Sequence, residues 1–429
     1  MRAELLIRKR IWKLMVVLTA LFGAIVARII SLTVIQGEAL TARGVRQWTQ
    51  EGKVEARRGS IVDRNGETLA LSTTAYIVSV NPRKVTEDAA FAARMAELLD
   101  VEQQTILNKL KNKNYASVVL KRQVPRATVD AIRTLRAQDE SAAKLLQGLS
   151  FSEDTRRVYI KGQFLAQALG LTNVDSEGQS GLEQQYDAVL KGEDGILLTE
   201  VDRKARTMPQ SNTTYIAPQT GNTVQLTIDS RFQKAVDKAL AENIDMINRV
   251  YNTGTMKAAA GAVVVLDVKD GSVLAASNYP SYDQNLYAAN YSEYSSDPSL
   301  PLFNRALQGL YTPGSTFKPA VAVAALDSGL INQYSTVYCN GVYNYFKDYP
   351  PRCTRHGHSG NIDVVTAIKW SCNIFFYDVG RRLTSDVYDA YAYKLGLGQR
   401  TGVEVSEAVG RLTTKSDSNY TASLDVQAA

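Results

Sequence analysis

Tyr311-Thr312-Pro313-Gly314-Ser315-Thr316-Phe317-Lys318-Pro319 is the stretch on which the reading of this chain turns. A serine and a lysine stand three residues apart at the start of a predicted helix, so they share one face of it. The run from Pro319 to Leu326 is apolar nearly all round, which predicts a buried helix. Burial strips water from Lys318 and lowers its pKa, and a neutral amine can take the proton from Ser315. A serine at a helix N-terminus also lies beside free backbone N–H groups that favour negative charge. Taken alone, the same spacing fits an N-cap serine followed by a surface lysine. A second string separates the two readings. Ser371-Cys372-Asn373 follows fifty-six residues after Ser315, set between apolar runs.

Ser-x-x-Lys followed by Ser-x-Asn is similar to the motif order of penicillin-interacting acyl-serine enzymes. Further stretches make the resemblance specific. They are Arg58-Gly59-Ser60-Ile61-Val62-Asp63-Arg64-Asn65-Gly66 with Leu69-Ala70, then Gly181-Leu182-Glu183 with Tyr186-Asp187. Leu226-Thr227-Ile228-Asp229 with Gln233, and Asn304-Arg305-Ala306, complete the set. Along almost its whole length the chain resembles a class B penicillin-binding protein, a monofunctional cell-wall transpeptidase of the division and sporulation type.

That resemblance implies a mixed α+β fold in four parts. Residues 1–13 form a cytoplasmic tail and 14–35 a transmembrane helix. Residues 36–220 form a pedestal of the dimerisation type, and 221–429 a transpeptidase domain whose antiparallel sheet packs with helices. It also implies a reaction. Ser315 attacks the D-Ala-D-Ala amide of a peptidoglycan stem peptide, with Lys318 as general base. Ser371 relays a proton to the leaving amine, and Asn373 binds the substrate amide. β-Lactams acylate the same serine, and no cofactor or metal is required. Asp63, Arg64 and Glu183 are expected to be structural. The family's third motif, Lys-Thr-Gly or Lys-Ser-Gly, is absent, since Lys415-Ser416 is followed by Asp417. The expectation is a chain incomplete at its C-terminus, lacking later strands of the sheet and impaired in acylation.

Composition sets the compartment. The chain has 429 residues, 49 basic and 43 acidic, for a net charge of +6. These charges are mixed along the sequence without a basic, aromatic-interleaved block, so nucleic acid is not an expected partner. Arg2, Arg8, Lys9, Arg10 and Lys13 precede Leu14 to Ile35, a stretch of 22 residues whose one charge is Arg28. That length spans a bilayer, and the basic flank predicts a cytoplasmic N-terminus. The alternative is a cleaved signal peptide ending near Ala27, against which the apolar sequence continues. The expected setting is thus a bacterial cell membrane crossed once, with the catalytic domain outside and partners in the division or wall-synthesis complex. Cys339 and Cys353 flank a loop-like stretch, and an exported domain allows them a disulfide. Cys372 is expected to be a buried free thiol. A metal held by Cys339, Cys353, His356 and His358 is the alternative, but the spacing matches no standard zinc pattern.

Local patterns add the elements around these motifs. Tyr76–Val80 and Ser117–Leu120 read as strands. Asp88–Leu99, Thr128–Ala137 and Ser230–Met246 carry helical periodicity. Val224–Ile228 reads as a strand, and Glu193–Pro218 as a linker. Ala262–Asp267 and Ser272–Ala276 read as a hairpin closed by Lys269-Asp270-Gly271, on which the Ser315 helix would pack. Two rivals share the opening motif. A β-lactamase or membrane β-lactam sensor also uses Ser-x-x-Lys, but the Arg58–Gly66 signature and the long pedestal argue against it. A non-enzymatic subunit of the wall complex is the rival of a different class. Penicillin labelling at Ser315 separates it from an enzyme.

Overall fold

A computed structural model of the chain describes residues 2–40, 44, 49–200, 214–250, 258–348, 350–353 and 357–412. It opens with helix α1, Arg2–Ile30, which runs on into a π-helical turn at Ser31–Ile35. Arg10–Ile35 has a mean hydropathy of 2.3 over its most apolar window, and none of that window is buried by the rest of the chain. This helix is long and apolar enough to cross a membrane. Two of its hydroxyls are satisfied internally: those of Thr19 and Thr33 donate to the carbonyls of Met15 and Ile29, each at 2.8 Å. Such self-pairing is what a lipid environment demands of a hydroxyl.

The described residues fall into two compact units. The first draws on Met1–Ile61, Ala70–Val158 and Ala188–Val224. Its centre is a long strand β1, Thr68–Val80, paired antiparallel with β2, Val118–Pro125. Helices α2 (Asp88–Leu99), α3 (Gln103–Leu110) and α4 (Arg126–Gln138) supply the core against this ladder. Phe91, Met95, Ile106, Leu110, Val129 and Ile132 are fully buried there. They recur at helical spacing, which is why the predicted span 88–99 coincides with α2 and 128–137 lies within α4. The signature glycine Gly59 owes its identity to a close approach. A Cβ at that position would stand 1.9 Å from the carbonyl oxygen of Asn222, which no side chain tolerates.

The second unit draws on Val62–Leu69, Tyr159–Asp187 and Gln225–Ala429. Helix α5, Ser230–Val250, packs on a two-stranded antiparallel ladder of β4 (Gly261–Leu266) and β5 (Val273–Tyr279). Gly271 closes this hairpin at φ +78°, a left-handed conformation glycine adopts freely. The predicted strand at 224–228 is shorter than expected, β3 at Val224–Gln225, because Asp229 already caps α5. The Asp229 carboxylate accepts from the backbone N–H of Arg231 at 3.0 Å and of Phe232 at 3.3 Å. Gln233 then accepts from Ala276 N–H at 2.7 Å, tying α5 to β5.

Helix α6, Lys318–Asp327, does not pack chiefly on this ladder as expected. Its neighbours are three helices: α7 (Val364–Lys369), α8 (Asn373–Leu383) and α9 (Ser385–Lys394). Val321, Ala322, Ala324 and Ala325 are buried among Ala367, Phe375, Phe376, Val379 and Leu383. The helix is also not buried all round, since Val323 is 46% and Leu326 39% exposed. Its alanines allow close helix contact on one side only, and apolar composition alone did not choose that side.

Candidate active site

Ser315 lies in a 3-10 turn, Gly314–Phe317, that leads directly into α6. It is exposed, whereas Lys318, the first residue of α6, is only 5% exposed. The 3-10 turn has three residues per turn and so brings residues three apart onto one line. So an exposed serine and a buried amine share one turn of chain.

Lys318 is held by the second motif. Its Nζ donates to the Ser371 carbonyl at 2.9 Å, to Ser371 Oγ at 3.0 Å and to Asn373 Oδ1 at 2.6 Å. It also lies 5.6 Å from the centre of the Phe376 ring. The three ammonium donors are therefore matched by three neutral acceptors, with no carboxylate among them. Burial pushes the Lys318 pKa below its ordinary value, and thiolate charge at Cys353 and Cys372 would pull the other way. Among the described residues, no hydrogen bond joins Ser315 to Lys318. The direct contact foreseen from the three-residue spacing is thus replaced by a cradle from residues fifty-three to fifty-five positions later.

The Ser371-Cys372-Asn373 turn joins α7 to α8. Cys372 N–H donates back to Ala367 O at 2.8 Å, and Ser371 N–H to Ile368 O at 3.2 Å. Ser371 takes φ +51°, a left-handed value uncommon for a non-glycine residue. That conformation aims both its carbonyl and its hydroxyl at Lys318. Asn373 opens α8, and its Nδ2 donates to Arg352 O at 3.3 Å. The amide is thereby oriented with its oxygen toward the lysine.

The other sequence motifs lie outside this cradle. Asp63 is fully buried and accepts from the backbone N–H groups of Asn65 and Glu67, each at 2.8 Å, and of Ser230 at 3.1 Å. Burial pushes its pKa up, but these N–H groups outweigh burial and bring it to about 2. Glu183 is likewise fully buried. Asn304 caps a short helix, Arg305–Gln308, by accepting from Leu307 N–H at 3.3 Å. Lys415, Ser416 and Asp417 lie outside the described residues.

The cysteines depart from expectation. Cys339, Cys353 and Cys372 are all free thiols, so the foreseen Cys339–Cys353 disulfide is not formed. Cys372 is not isolated either. The ligating atoms of Cys339, Cys353, His358 and Cys372 all lie within 4.8 Å of one another. His356, the other histidine considered, lies outside the described residues. Cys372 is the buried free thiol expected, but spacing alone does not join it to Cys339, Cys353 and His358, because it lies inside the Ser-x-Asn string.

Comparison with known proteins follows the same two-part division. The model of the penicillin-binding protein transpeptidase domain matches residues 261–426. The model of the penicillin-binding protein dimerisation domain matches residues 53–226. Stage V sporulation protein D of Bacillus subtilis is 30% identical over 391 residues, 90% of this chain and 57% of that protein. Peptidoglycan D,D-transpeptidase MrdA of Escherichia coli K12 is 27% identical over 428 residues, 90% of this chain and 62% of that protein. The chain therefore spans about three-fifths of the length of these relatives. Among solved structures, penicillin-binding protein PBP2 from Helicobacter pylori, in complex with MreC, aligns with a TM-score of 0.67 at 23% identity. That alignment covers 84% of this chain and 68% of the other. A chain of a peptidoglycan synthase complex aligns with a TM-score of 0.64 at 27% identity, covering 97% and 73%.

Proposed function

Because this chain belongs to the class B penicillin-binding proteins, we propose that it is a peptidoglycan D,D-transpeptidase working through an acyl-Ser315 intermediate. The observation that carries the reading is the cradle around Lys318. It links the Ser315 turn to the Ser371–Asn373 turn through bonds of 2.6 to 3.0 Å.

In this reading the neutral Lys318 amine takes the Ser315 proton as Oγ bonds to the carbonyl carbon of the penultimate D-alanine. The C–N bond to the terminal D-alanine then breaks. The proton reaches the departing amine through Ser371 Oγ, which already contacts Lys318. An amine from a neighbouring stem peptide attacks the ester, forms the cross-link and returns the proton to Ser315. Asn373 Nδ2 is the donor suited to a substrate amide carbonyl once it leaves Arg352 O. The Ser315 backbone N–H supplies one oxyanion donor, a contribution that commonly amounts to about a hundred- to a thousand-fold in rate. Exposure of Ser315 suits a polymeric substrate, while burial of Lys318 keeps its pKa low.

The apolar helix Arg10–Ile35 is the proposed membrane anchor, with the basic N-terminus in the cytoplasm and the remainder outside. Residues 36–220 are the proposed pedestal and 221–429 the proposed transpeptidase domain. Solved neighbours occur in complexes with MreC and within a peptidoglycan synthase, which supports a wall-synthesis partner for this chain too. The test is labelling by a fluorescent penicillin of the protein expressed from its own gene, followed by peptide mapping. Label should sit on Ser315 and vanish in Ser315→Ala. Label retained in that variant would overturn the nucleophile assignment, and an unlabelled, folded wild type would favour a non-enzymatic subunit.

A further inference from the structure

We infer that Tyr343 is a positioning residue for Asn373. It ties the hairpin carrying Arg352 to α8, and the Arg352 carbonyl then holds the Asn373 amide nitrogen away from Lys318. The inference rests on the acyl-serine reading of the site. Two backbone bonds build the hairpin: Tyr343 N–H donates to Pro351 O at 2.9 Å, and Cys353 N–H to Gly341 O at 3.0 Å. They flank the antiparallel bridge of Val342 with Arg352. In such a non-hydrogen-bonded pair the N–H and C=O of each residue point out of the hairpin. The outward Arg352 carbonyl is the one that accepts from Asn373 Nδ2 at 3.3 Å.

The tie is the Tyr343 hydroxyl. It donates to Asp378 Oδ1 at 3.2 Å and accepts from Arg381 Nε at 2.9 Å. Arg381 Nη2 also reaches Asp378 Oδ1 at 3.4 Å, which closes a ring of three side chains. Arg382 Nη1 lies 3.5 Å from the other Asp378 oxygen. Asp378 and Arg381 stand on α8, the helix that Asn373 opens. Tyr343 is 8% exposed and packs in the core around α8, while the Arg381 guanidinium lies 4.1 Å from the centre of the Tyr345 ring. Hydrogen bonds to charged partners are stronger than neutral ones. One side chain therefore fixes the hairpin against the helix, from the position next to Val342, the bridge partner of Arg352.

The consequence follows from the two ends of an amide. Asn373 can present either its oxygen or its nitrogen to Lys318. A charged Lys318 has only donors and selects the oxygen, as observed at 2.6 Å. A neutral amine offers a lone pair, which a turned amide nitrogen would occupy. That would remove the base when Ser315 needs it. The Arg352 carbonyl is an acceptor only, so it repels the amide oxygen and keeps the nitrogen outward. It holds this orientation until a substrate carbonyl takes its place.

Tyr343→Phe in the whole chain removes both hydroxyl bonds and keeps the ring, and far-UV circular dichroism checks that it folds. Its second-order rate of acylation by a fluorescent penicillin should fall about ten- to a hundred-fold, as for a misplaced catalytic group. The loss should persist on the high-pH plateau, where Lys318 is neutral. In an Asn373→Asp background the two carboxylate oxygens are equivalent, and there is no orientation to hold. There Tyr343→Phe should change the rate by less than about two-fold, since residues that act as a unit are not additive. No loss in the Asn373 background, or the same loss in both, would overturn the inference. An unlabelled wild type would instead count against the reading of the site, and melting temperatures then decide. Tyr343→Phe and Asn373→Ala together should lower the melting temperature by less than the sum of their separate losses. Strictly additive losses would overturn the tie.

Discussion

Two buried ionisable groups in the second unit, Asp63 and Lys318, are held in opposite ways. Asp63 receives three backbone N–H groups, two of them from its own turn and one from the start of α5. These donors stabilise the charged form, so the carboxylate is fixed as an anion down to about pH 2. Lys318 is surrounded by neutral acceptors and an aromatic ring, with no carboxylate to hold its charge. Burial accordingly lowers its pKa and brings the neutral amine closer to reach. A buried charge whose hydrogen bonds outweigh burial is a structural strut, while one whose burial outweighs its hydrogen bonds is chemically available. The contrast separates the Arg58–Gly66 signature, which organises a turn, from the Ser315 and Ser371 motifs, which assemble a site.

The largest effect that would break the contrast is on rate. Lys318→Ala should slow penicillin acylation by about a hundred- to ten-thousand-fold, the range for a lost general base. Thermal stability should fall less than for Asp63→Ala, because the desolvation cost removed with the buried charge offsets part of the loss of its three hydrogen bonds. A variant that unfolds but still acylates at the wild-type rate per folded molecule would show Lys318 to be the strut instead. Asp63→Ala should do the reverse. It leaves three backbone N–H groups without their acceptor and should cost about 2–3 kcal/mol of stability by urea denaturation. The acylation rate of the folded fraction should be unchanged.

How far the sequence carried this distinction depends on the range of the interactions. The α2 helix and the Asp270-Gly271 hairpin were legible because their patterns are local. The grouping of Ser371 and Asn373 with Lys318 was legible from motif order, although not its geometry. Nothing local announces that Ser371 is left-handed, or that Lys318 spends its donors on Ser371 and Asn373 rather than Ser315. The apolar run of α6 predicts a buried helix but carries no mark of which side meets α8. The Cys339, Cys353, His358 and Cys372 cluster was hidden for a related reason. Its members come from a strand end, a loop base, a pre-strand segment and a helix cap, so no fixed spacing encodes it.

Dependence on pH sharpens the comparison at intermediate size. Acylation should rise with pH as Lys318 loses its proton and level off below the ordinary lysine value of 10.5. For Asp63 the folded pKa of about 2 lies below the ordinary 3.8. Its stabilisation is therefore complete above about pH 4 and is lost as the pH falls through about 2. Urea midpoints of wild type and Asp63→Asn should converge across that acid window and stay parallel above it. Convergence near neutral pH instead would show that Asp63 is not held as an anion.

The smallest expected effect tests which donors do the holding. Asn65 offers Asp63 two contacts: its backbone N–H at 2.8 Å to Oδ1, and its side-chain Nδ2 at 3.3 Å to Oδ2. The same Nδ2 also reaches Asp229 Oδ2 at 3.3 Å, so it is shared between two carboxylates. A long, shared, partly solvated hydrogen bond contributes little, because water replaces it readily. Asn65→Ala removes the side-chain contact and keeps the backbone one. Stability should fall by less than about 0.5 kcal/mol, as for an ordinary surface change. The acid window of Asp63 should scarcely move. A loss approaching that of Asp63→Ala, or a clear upward shift of the acid limb, would mean that the side chain and not the turn fixes the carboxylate. Asp63 would then depend on a replaceable neighbour, much as Lys318 depends on Ser371 and Asn373, and the contrast between strut and site would narrow to one of exposure.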